Sequence, residues 1–254
     1  SWRRELANAL RDKRATVGVV GLGYVGLPML VCAAKAGFRA VGLDVDPTRV
    51  EALSEGRSYV SDVPNEVLAD IRSSLRVSTR PSALRACDVV LICVPTPLTD
   101  NSPDLGYIER AGHSVAASLR GGVLVVLEST TYPGTTEEVL RPILETSGLR
   151  AGRDFALAYS PERIDPGREL DHIAKTPRIV GGLTKGDGEL AARFYRSFIH
   201  EVELVSTPRE AEMAKLIENT FRNVNIALVN ELAYLSKDLD VDLWEAIGAA
   251  STKP

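Results

Sequence analysis

Cysteine is scarce in this chain. The three present in 254 residues, Cys32, Cys87 and Cys93, have neither the number nor the spacing for a disulfide framework or a metal site. The expected setting is therefore reducing and cytoplasmic. Positive charge is not in excess either: Lys plus Arg number 30 against 34 Asp plus Glu, a net charge of -4, which excludes the basic footprint of a nucleic-acid binder. No apolar run approaches the roughly 20 residues of a membrane span. The opening Ser1-Trp2-Arg3-Arg4-Glu5 leads into a charged amphipathic stretch rather than a secretory leader. No membrane partner is expected, and repeats and low-complexity tracts are absent. What remains is an ordinary globular mixture of 44% apolar and 25% charged residues, long enough for one or two domains at roughly 150 residues each and for a core without staples.

Short β-branched runs alternate with helical patterns, which is the signature of an α/β fold on a mainly parallel sheet. Thr16–Val20 reads as a strand, Val25–Ala36 as a helix, Ala40–Leu43 as a strand ending at Asp44, and Pro47–Ser54 as a helix with Asp46 as its N-cap. Asp88–Val94 and Val123–Leu127 read as strands buried on both faces, Phe155–Ala158 and Arg178–Val180 as shorter ones. Gly186–Phe198 reads as a helix and Val202–Val205 as a last strand. Glycine and proline are then missing from Arg209 to Leu239, which predicts one helix roughly 45 Å long. Helices of that length link two bodies or form subunit interfaces. The expected division is 1–206 as a Rossmann-type domain and 207–254 as a long connecting helix with the start of a further domain.

Gly21-Leu22-Gly23-Tyr24-Val25-Gly26 matches G-x-G-x-x-G between a strand and a helix, and an acid, Asp44, ends the next strand eighteen residues past Gly26. In that setting the first glycine allows the tight turn, the second lets a diphosphate approach the backbone, and the third lets helix and strand pack closely. The amides of Gly21, Gly23, Tyr24, Val25 and Gly26, at the positive end of a helix, suit the diphosphate. Asp44 suits a ribose 2'-hydroxyl and repels a 2'-phosphate, so NAD is expected over NADP. Arg49 would lie over the adenine or meet a phosphate. A tight turn without a ligand is the alternative.

Val94-Pro95-Thr96-Pro97 and Glu128-Ser129-Thr130-Thr131 follow buried strands and so arrive at the carboxyl edge of the sheet, where open α/β folds bind ligands. Thr96 would touch the coenzyme or simply belong to a proline-stiffened turn. A hydroxyl of the second segment would hold water or the nicotinamide ribose. Thr135 or Thr136 would cap the helix that follows Gly134. Tyr159–Gly167 is a polar loop in which Glu162 is a candidate acid or base, or else a surface ion-pair partner of Arg163 or Arg168. On the long helix Lys215, Asn219, Arg222, Asn223, Ile226 and Asn230 form one stripe, and Lys215 with Asn219 would donate to an oxyanion. A solvated helix face is the plainer alternative.

Taken together, Val19–Pro28, Val94–Pro97, Glu128–Thr130, Ser160-Pro161-Glu162-Arg163 and Lys215–Arg222 resemble the nucleotide-sugar 6-dehydrogenases, the UDP-glucose/UDP-N-acetylhexosamine dehydrogenase family, in family order across nearly the whole chain. The Ser-Pro-Glu-Arg and Glu-Asn-Thr-Phe-Arg segments look more like the N-acetylhexosamine branch. The resemblance implies an oxidoreductase of polysaccharide biosynthesis. It would oxidise the C6 alcohol of a nucleotide-diphosphate hexose with NAD to the aldehyde, then through a cysteine thioester to the uronic acid. It also implies roles. Thr130 positions water and meets the coenzyme; Glu162 does acid/base work near the substrate with Arg163; Lys215 and Asn219 stabilise the C6 oxyanion; Asp44 and Arg49 hold the adenosine end. A homodimer through the long helix is implied as well.

Two departures stand out. The UDP-glucose branch carries a second acid where this chain has Pro166, and Asp165 beside it does not substitute by motif. The family's nucleophilic cysteine falls in a Gly-rich loop past Pro254, and none of Cys32, Cys87 and Cys93 matches it. The chain is therefore expected to be the coenzyme domain and central helix of a longer enzyme. It should bind NAD without completing turnover. A β-hydroxyacid-type dehydrogenase and a non-catalytic NAD-binding dimerisation module are the competing readings. The first needs an all-helical second domain, and the second has no use for the Lys215/Asn219 pair.

Overall fold

Side chains that point alternately to two covered faces make the apolar runs strands buried along their whole length. A computed structural model describes residues 1–100, 102–163 and 170–253. Its strands are β1 (Thr16–Val20), β2 (Arg39–Leu43), β3 (Leu75–Ser78), β4 (Val89–Ile92), the two-residue β5 (Leu98–Thr99) and β6 (Ser102–Pro103), then β7 (Leu124–Leu127), β8 (Ala156–Tyr159), β9 (Arg178–Gly182) and β10 (Val202–Val205). The chain divides into two compact units, Ser1–Met213 and Ala214–Pro254.

In the first unit eight strands join in the order β10-β9-β8-β7-β4-β1-β2-β3, while β5 and β6 pair only with each other. Every neighbouring pair in the large sheet is parallel except β8 with β9. The expected Rossmann-like, mainly parallel α/β architecture is what the chain adopts. After β3 the chain returns to place β4 on the other side of β1, so the direction of winding reverses between β1 and β4. A crevice opens beyond the strand ends at such a reversal.

Helices cover both faces: α1 (Trp2–Arg11), α2 (Gly26–Lys35), α3 (Pro47–Ser54), α4 (Asn65–Ile71), α5 (Gly106–Ala116), α6 (Arg141–Glu145), α7 (Leu170–Lys175), α8 (Lys185–Tyr195) and the first residues of α9 (Pro208–Asp238). β7 shows how one run serves two cores. Leu124 and Val126 pack with residues of α1, α2 and α8, whereas Val125 and Leu127 pack with residues of α5 and α6. Asp46 caps α3 as expected, accepting from the Thr48 amide at 2.9 Å, a contact worth about 1 kcal/mol.

One expectation needs correction. The helical stretch after Gly134 is not capped by Thr135 or Thr136. Glu212 from α9 reaches its N-terminus and accepts from Gly134 N (2.5 Å), Thr136 N (2.9 Å) and Thr136 Oγ1 (2.7 Å). A buried carboxylate satisfies several amide orphans at once, which one hydroxyl cannot. Thr135 instead donates to the Tyr132 carbonyl and meets Thr131 Oγ1. Burial pushes the Glu212 carboxyl up, and the Thr136 and Gly134 donors oppose that rise. The opening amphipathic stretch is the helix α1, packed through Leu6 and Leu10.

The second unit holds the remainder of α9, unbroken as the missing glycine and proline predict, and α10 (Leu243–Ala250). Asp242 caps α10 by accepting from Trp244 N and Glu245 N.

Candidate coenzyme and active site

A cavity of about 880 Å³ lies against the carboxyl ends of β1, β2, β4, β7 and β8, within the roughly 300–1,000 Å³ usual for small-molecule sites. Gly21, Gly23, Tyr24, Val25, Asp44, Arg49, Thr96, Thr130 and Glu162 all line it. The structure thus brings together, from elements far apart in sequence, most of the first unit's candidate residues.

The glycine turn is shaped by contacts that exclude side chains. Gly21 has φ +87°, and a Cβ on it would meet the Cys93 carbonyl at 2.6 Å. Gly26 stands behind the turn, where a Cβ would lie 1.8 Å from the Gly21 carbonyl oxygen. A Cβ on Gly23 would meet nothing within 4 Å. The protein therefore leaves space there, on the cavity wall, where a diphosphate would approach. The amides at the start of α2 would meet an anion there with the helix's positive end.

Asp44, buried at the end of β2, is tied down from two sides. Its Oδ2 accepts from Leu22 N at 2.7 Å and from Arg49 Nη1 at 3.3 Å, and its Oδ1 accepts from Asp46 N at 2.9 Å. A carboxylate offers about four lone-pair directions, so capacity for one hydroxyl remains at Oδ1. These residues fit a dinucleotide with a free ribose diol. Arg49 is turned onto Asp44 and, at 3.6 Å, Asp46, and its guanidinium lies 5.7 Å from the centre of the Tyr59 ring.

At the other end the loops after β4 and β7 are zipped together. Thr96 Oγ1 donates to the Thr130 carbonyl at 2.7 Å; Ser129 Oγ accepts from Val94 N at 3.1 Å and donates to Val94 O at 2.8 Å. Glu162 is 9% exposed, and its amide donates to the Glu128 carbonyl at 3.3 Å. Partial burial, then the charge of Glu162, raises the Tyr24 phenol. Arg163 is not on the cavity wall, and its Nη1 donates to the Pro177 carbonyl at 2.7 Å. Asp165 and Pro166, which bear on the second acid, lie outside the described residues. In the second unit Lys215 and Asn219 sit one turn apart on α9.

Sequence reasoning missed the floor of this site. Glu128, fully buried, accepts from Arg178 Nη2 at 2.9 Å and from Tyr195 Oη at 2.5 Å. Arg178, 3% exposed, also donates from Nη1 to the Pro161 carbonyl at 3.1 Å. Burial pushes the Glu128 carboxyl up against the opposing pull of Arg178 and Tyr195. Burial alone would lower the Arg178 guanidinium; the charge of Glu128, joined by the smaller influences of Tyr195, Cys93 and Glu162, together raises it instead. The one signal was a charged residue opening the apolar run Arg178–Gly182. Cys93 is buried on the cavity wall with its thiol raised by burial and then by Glu128, and burial raises the Cys87 thiol to about 12. Neither is a ready nucleophile at neutral pH.

A mainly parallel sheet with a glycine turn, a strand-end acid and a cavity at the winding reversal defines a dinucleotide-binding chain. Residues 15–199 match the NAD binding domain of the UDP-glucose/GDP-mannose dehydrogenase family, and residues 209–254 match that family's central domain. The chain belongs to this family, and NAD is the coenzyme of the domain. It is 40% identical over 241 residues to UDP-N-acetyl-D-mannosamine dehydrogenase of Pyrococcus horikoshii, covering 94% of this chain and 58% of the relative. The solved structure of UDP-D-ManNAc dehydrogenase from that organism superposes with a TM-score of 0.90 at 40% identity, over 94% of this chain and 58% of that one. An NDP-N-acetyl-D-galactosaminuronic acid dehydrogenase of Ralstonia nicotianae is 38% identical over 250 residues, 94% of this chain and 58% of the relative. The chain thus spans somewhat over half the length of these relatives.

Proposed function

We propose that this chain carries the coenzyme half of an enzyme that oxidises the C6 alcohol of a nucleotide-diphosphate hexose to the uronic acid, with a UDP-N-acetylhexosamine favoured over UDP- or dTDP-glucose. The observation that carries the reading is the single cavity shared by the glycine turn, Asp44, Thr130 and Glu162. The names of the relatives favour the N-acetylated sugars. Residues 1–206 form the coenzyme domain in this reading, and 207–254 the long helix and the start of the central domain.

NAD, when bound, supplies the acceptor for a hydride from C6. The chain's own residues do the rest. The Gly21–Gly26 turn holds the diphosphate, and Gly23 leaves it room. Asp44 accepts a ribose hydroxyl and, with Arg49, holds the adenosine end; its charge disfavours a 2'-phosphate. Thr96 and Thr130 line the nicotinamide end, and Thr130 orients water. Glu162 takes and returns the proton of the C6 hydroxyl, with Arg163 near the sugar nucleotide. Lys215 and Asn219 donate to the oxyanion at C6. Exposed Phe221, Tyr234 and Trp244, at 71%, 71% and 78%, leave an apolar surface on the second unit that favours a homodimer through the long helix. No helix among the described residues is long and apolar enough to cross a membrane, and the reducing compartment expected from the cysteines is the cytoplasm.

Calorimetric titration of the chain tests the coenzyme half: saturable heat is expected with NAD and much weaker binding with NADP. Absence of heat with NAD sinks the proposal. Incubated with NAD and UDP-N-acetylmannosamine, the chain by itself is expected to form no uronic acid, because its thiols are buried or lack the family's loop. Stoichiometric uronate would refute that part.

A further inference from the structure

We infer that Tyr59, a residue off the cavity wall, positions the diphosphate-binding turn by holding its tip from behind. The inference rests on the coenzyme reading above and goes beyond it by assigning a residue outside the fingerprint.

Leu22 lies between the first two glycines of the turn and is held at both of its polar backbone atoms. Its N–H donates to Asp44 Oδ2 at 2.7 Å, and its carbonyl accepts from Tyr59 Oη at 2.8 Å. Its side chain is fully buried, packed where a Cβ on Gly42 would meet it at 2.8 Å. The carbonyl of Leu22 and the N–H of Gly23 belong to one planar trans peptide, so they point in opposite directions. Fixing the carbonyl toward Tyr59 therefore turns the Gly23 N–H the other way. That amide has no hydrogen-bond acceptor among the described residues, and Gly23 lines the cavity. Tyr59 thus aims a donor at the place where the diphosphate would lie, before any ligand arrives. Pre-aimed donors need no reorganisation on binding.

Tyr59 is itself well placed for this. It sits in the segment between α3 and α4, where Ser58 N donates to Asn65 Oδ1 at 2.7 Å, Val63 N donates to the Val60 carbonyl at 3.0 Å, and the Val63 side chain is buried. Half-burial and the Asp44 charge push its phenol far up, so the hydroxyl keeps its proton and remains a donor across the physiological range. The Arg49 guanidinium over its ring is a separate contact that a phenylalanine would retain.

Tyr59→Phe separates the hydroxyl from the ring. Titrated into the chain, NAD and ADP are expected to bind roughly fivefold more weakly to the variant, the cost of ordering a peptide that is no longer aimed in advance. Adenosine binding should stay unchanged, and the ligand-free melting temperature should fall by no more than a few degrees, the cost of one lost hydrogen bond. Unchanged NAD and ADP affinity overturns the inference, as does an equal loss for adenosine, which would place the effect at the adenosine end. A variant that fails to fold or melts many degrees lower also overturns it, since the hydroxyl would then be a folding contact. If the unsubstituted chain binds no NAD, the coenzyme reading falls and this inference with it; NAD binding that Tyr59→Phe leaves intact sinks only the inference.

Discussion

Arg178→Met is expected to cost about 3–5 kcal/mol of folding stability near neutral pH, the range for breaking one side of a buried ion pair. The wild-type arginine is 3% exposed, holds Glu128 at 2.9 Å and grips the Pro161 carbonyl at 3.1 Å. Methionine fills much of the volume but leaves the fully buried Glu128 with Tyr195 alone. Glu128 can then stay in place most cheaply by taking a proton. Its carboxyl is already raised by burial, and losing the opposing cation raises it further. A carboxyl whose folded value exceeds its unfolded value binds more protons when folded, so it contributes stability at low pH that is lost as pH rises through the folded value. The deficit of Arg178→Met should accordingly be larger at pH 8 than at pH 5. Adding Glu128→Gln should return part of it, because no buried charge is then left unpaired. Urea unfolding of the single and double variants at both pH values measures this. A deficit under about 1 kcal/mol, equal at the two pH values, would mean that water screens the pair.

That array also marks where the sequence stops being readable. β1, α3 and β10 have the bounds that their apolar and capping patterns predict, because the information lies within each segment. The glycine turn and Asp44 were legible for a related reason: a strand, a tight turn, a helix and a strand-end acid are all local, and the fold rule for parallel sheets carries them to one edge. The partnership of Glu128 with Arg178 spans 50 residues and that of Glu212 with Gly134 spans 78. No periodicity encodes which of thirty basic residues a buried acid will meet. Short or poorly capped elements were lost too. α4 is only seven residues long, α5 begins after Leu105 with no side-chain cap, and β3 alternates too weakly, half-buried at the sheet edge. Tyr59 carried no signal, since a tyrosine between two helices has no spacing to betray a bond to a turn 37 residues earlier.

The glycines of the turn should divide folding from binding. Gly26→Ala places a Cβ 1.8 Å from the Gly21 carbonyl oxygen, a backbone atom that cannot rotate away. The start of α2 must then leave β1, and the turn with it. The expected outcome is loss of more than about 3 kcal/mol of stability together with loss of measurable NAD binding. Gly23→Ala is the contrasting case, since its Cβ would meet no protein atom within 4 Å and its backbone is not in the left-handed region. The Gly23→Ala chain should therefore fold and melt as the parent does, or slightly higher, because alanine has less unfolded freedom to lose. Its methyl group nevertheless occupies the space left for the diphosphate and pushes it off the amides. NAD affinity should fall on the order of a hundredfold or more, the loss of two or more charge-assisted hydrogen bonds. Calorimetry with NAD beside thermal melting of both variants reads the two effects separately. Should Gly23→Ala bind NAD like the parent, the diphosphate cannot lie against this turn, and the open space beside Gly23 would need another occupant.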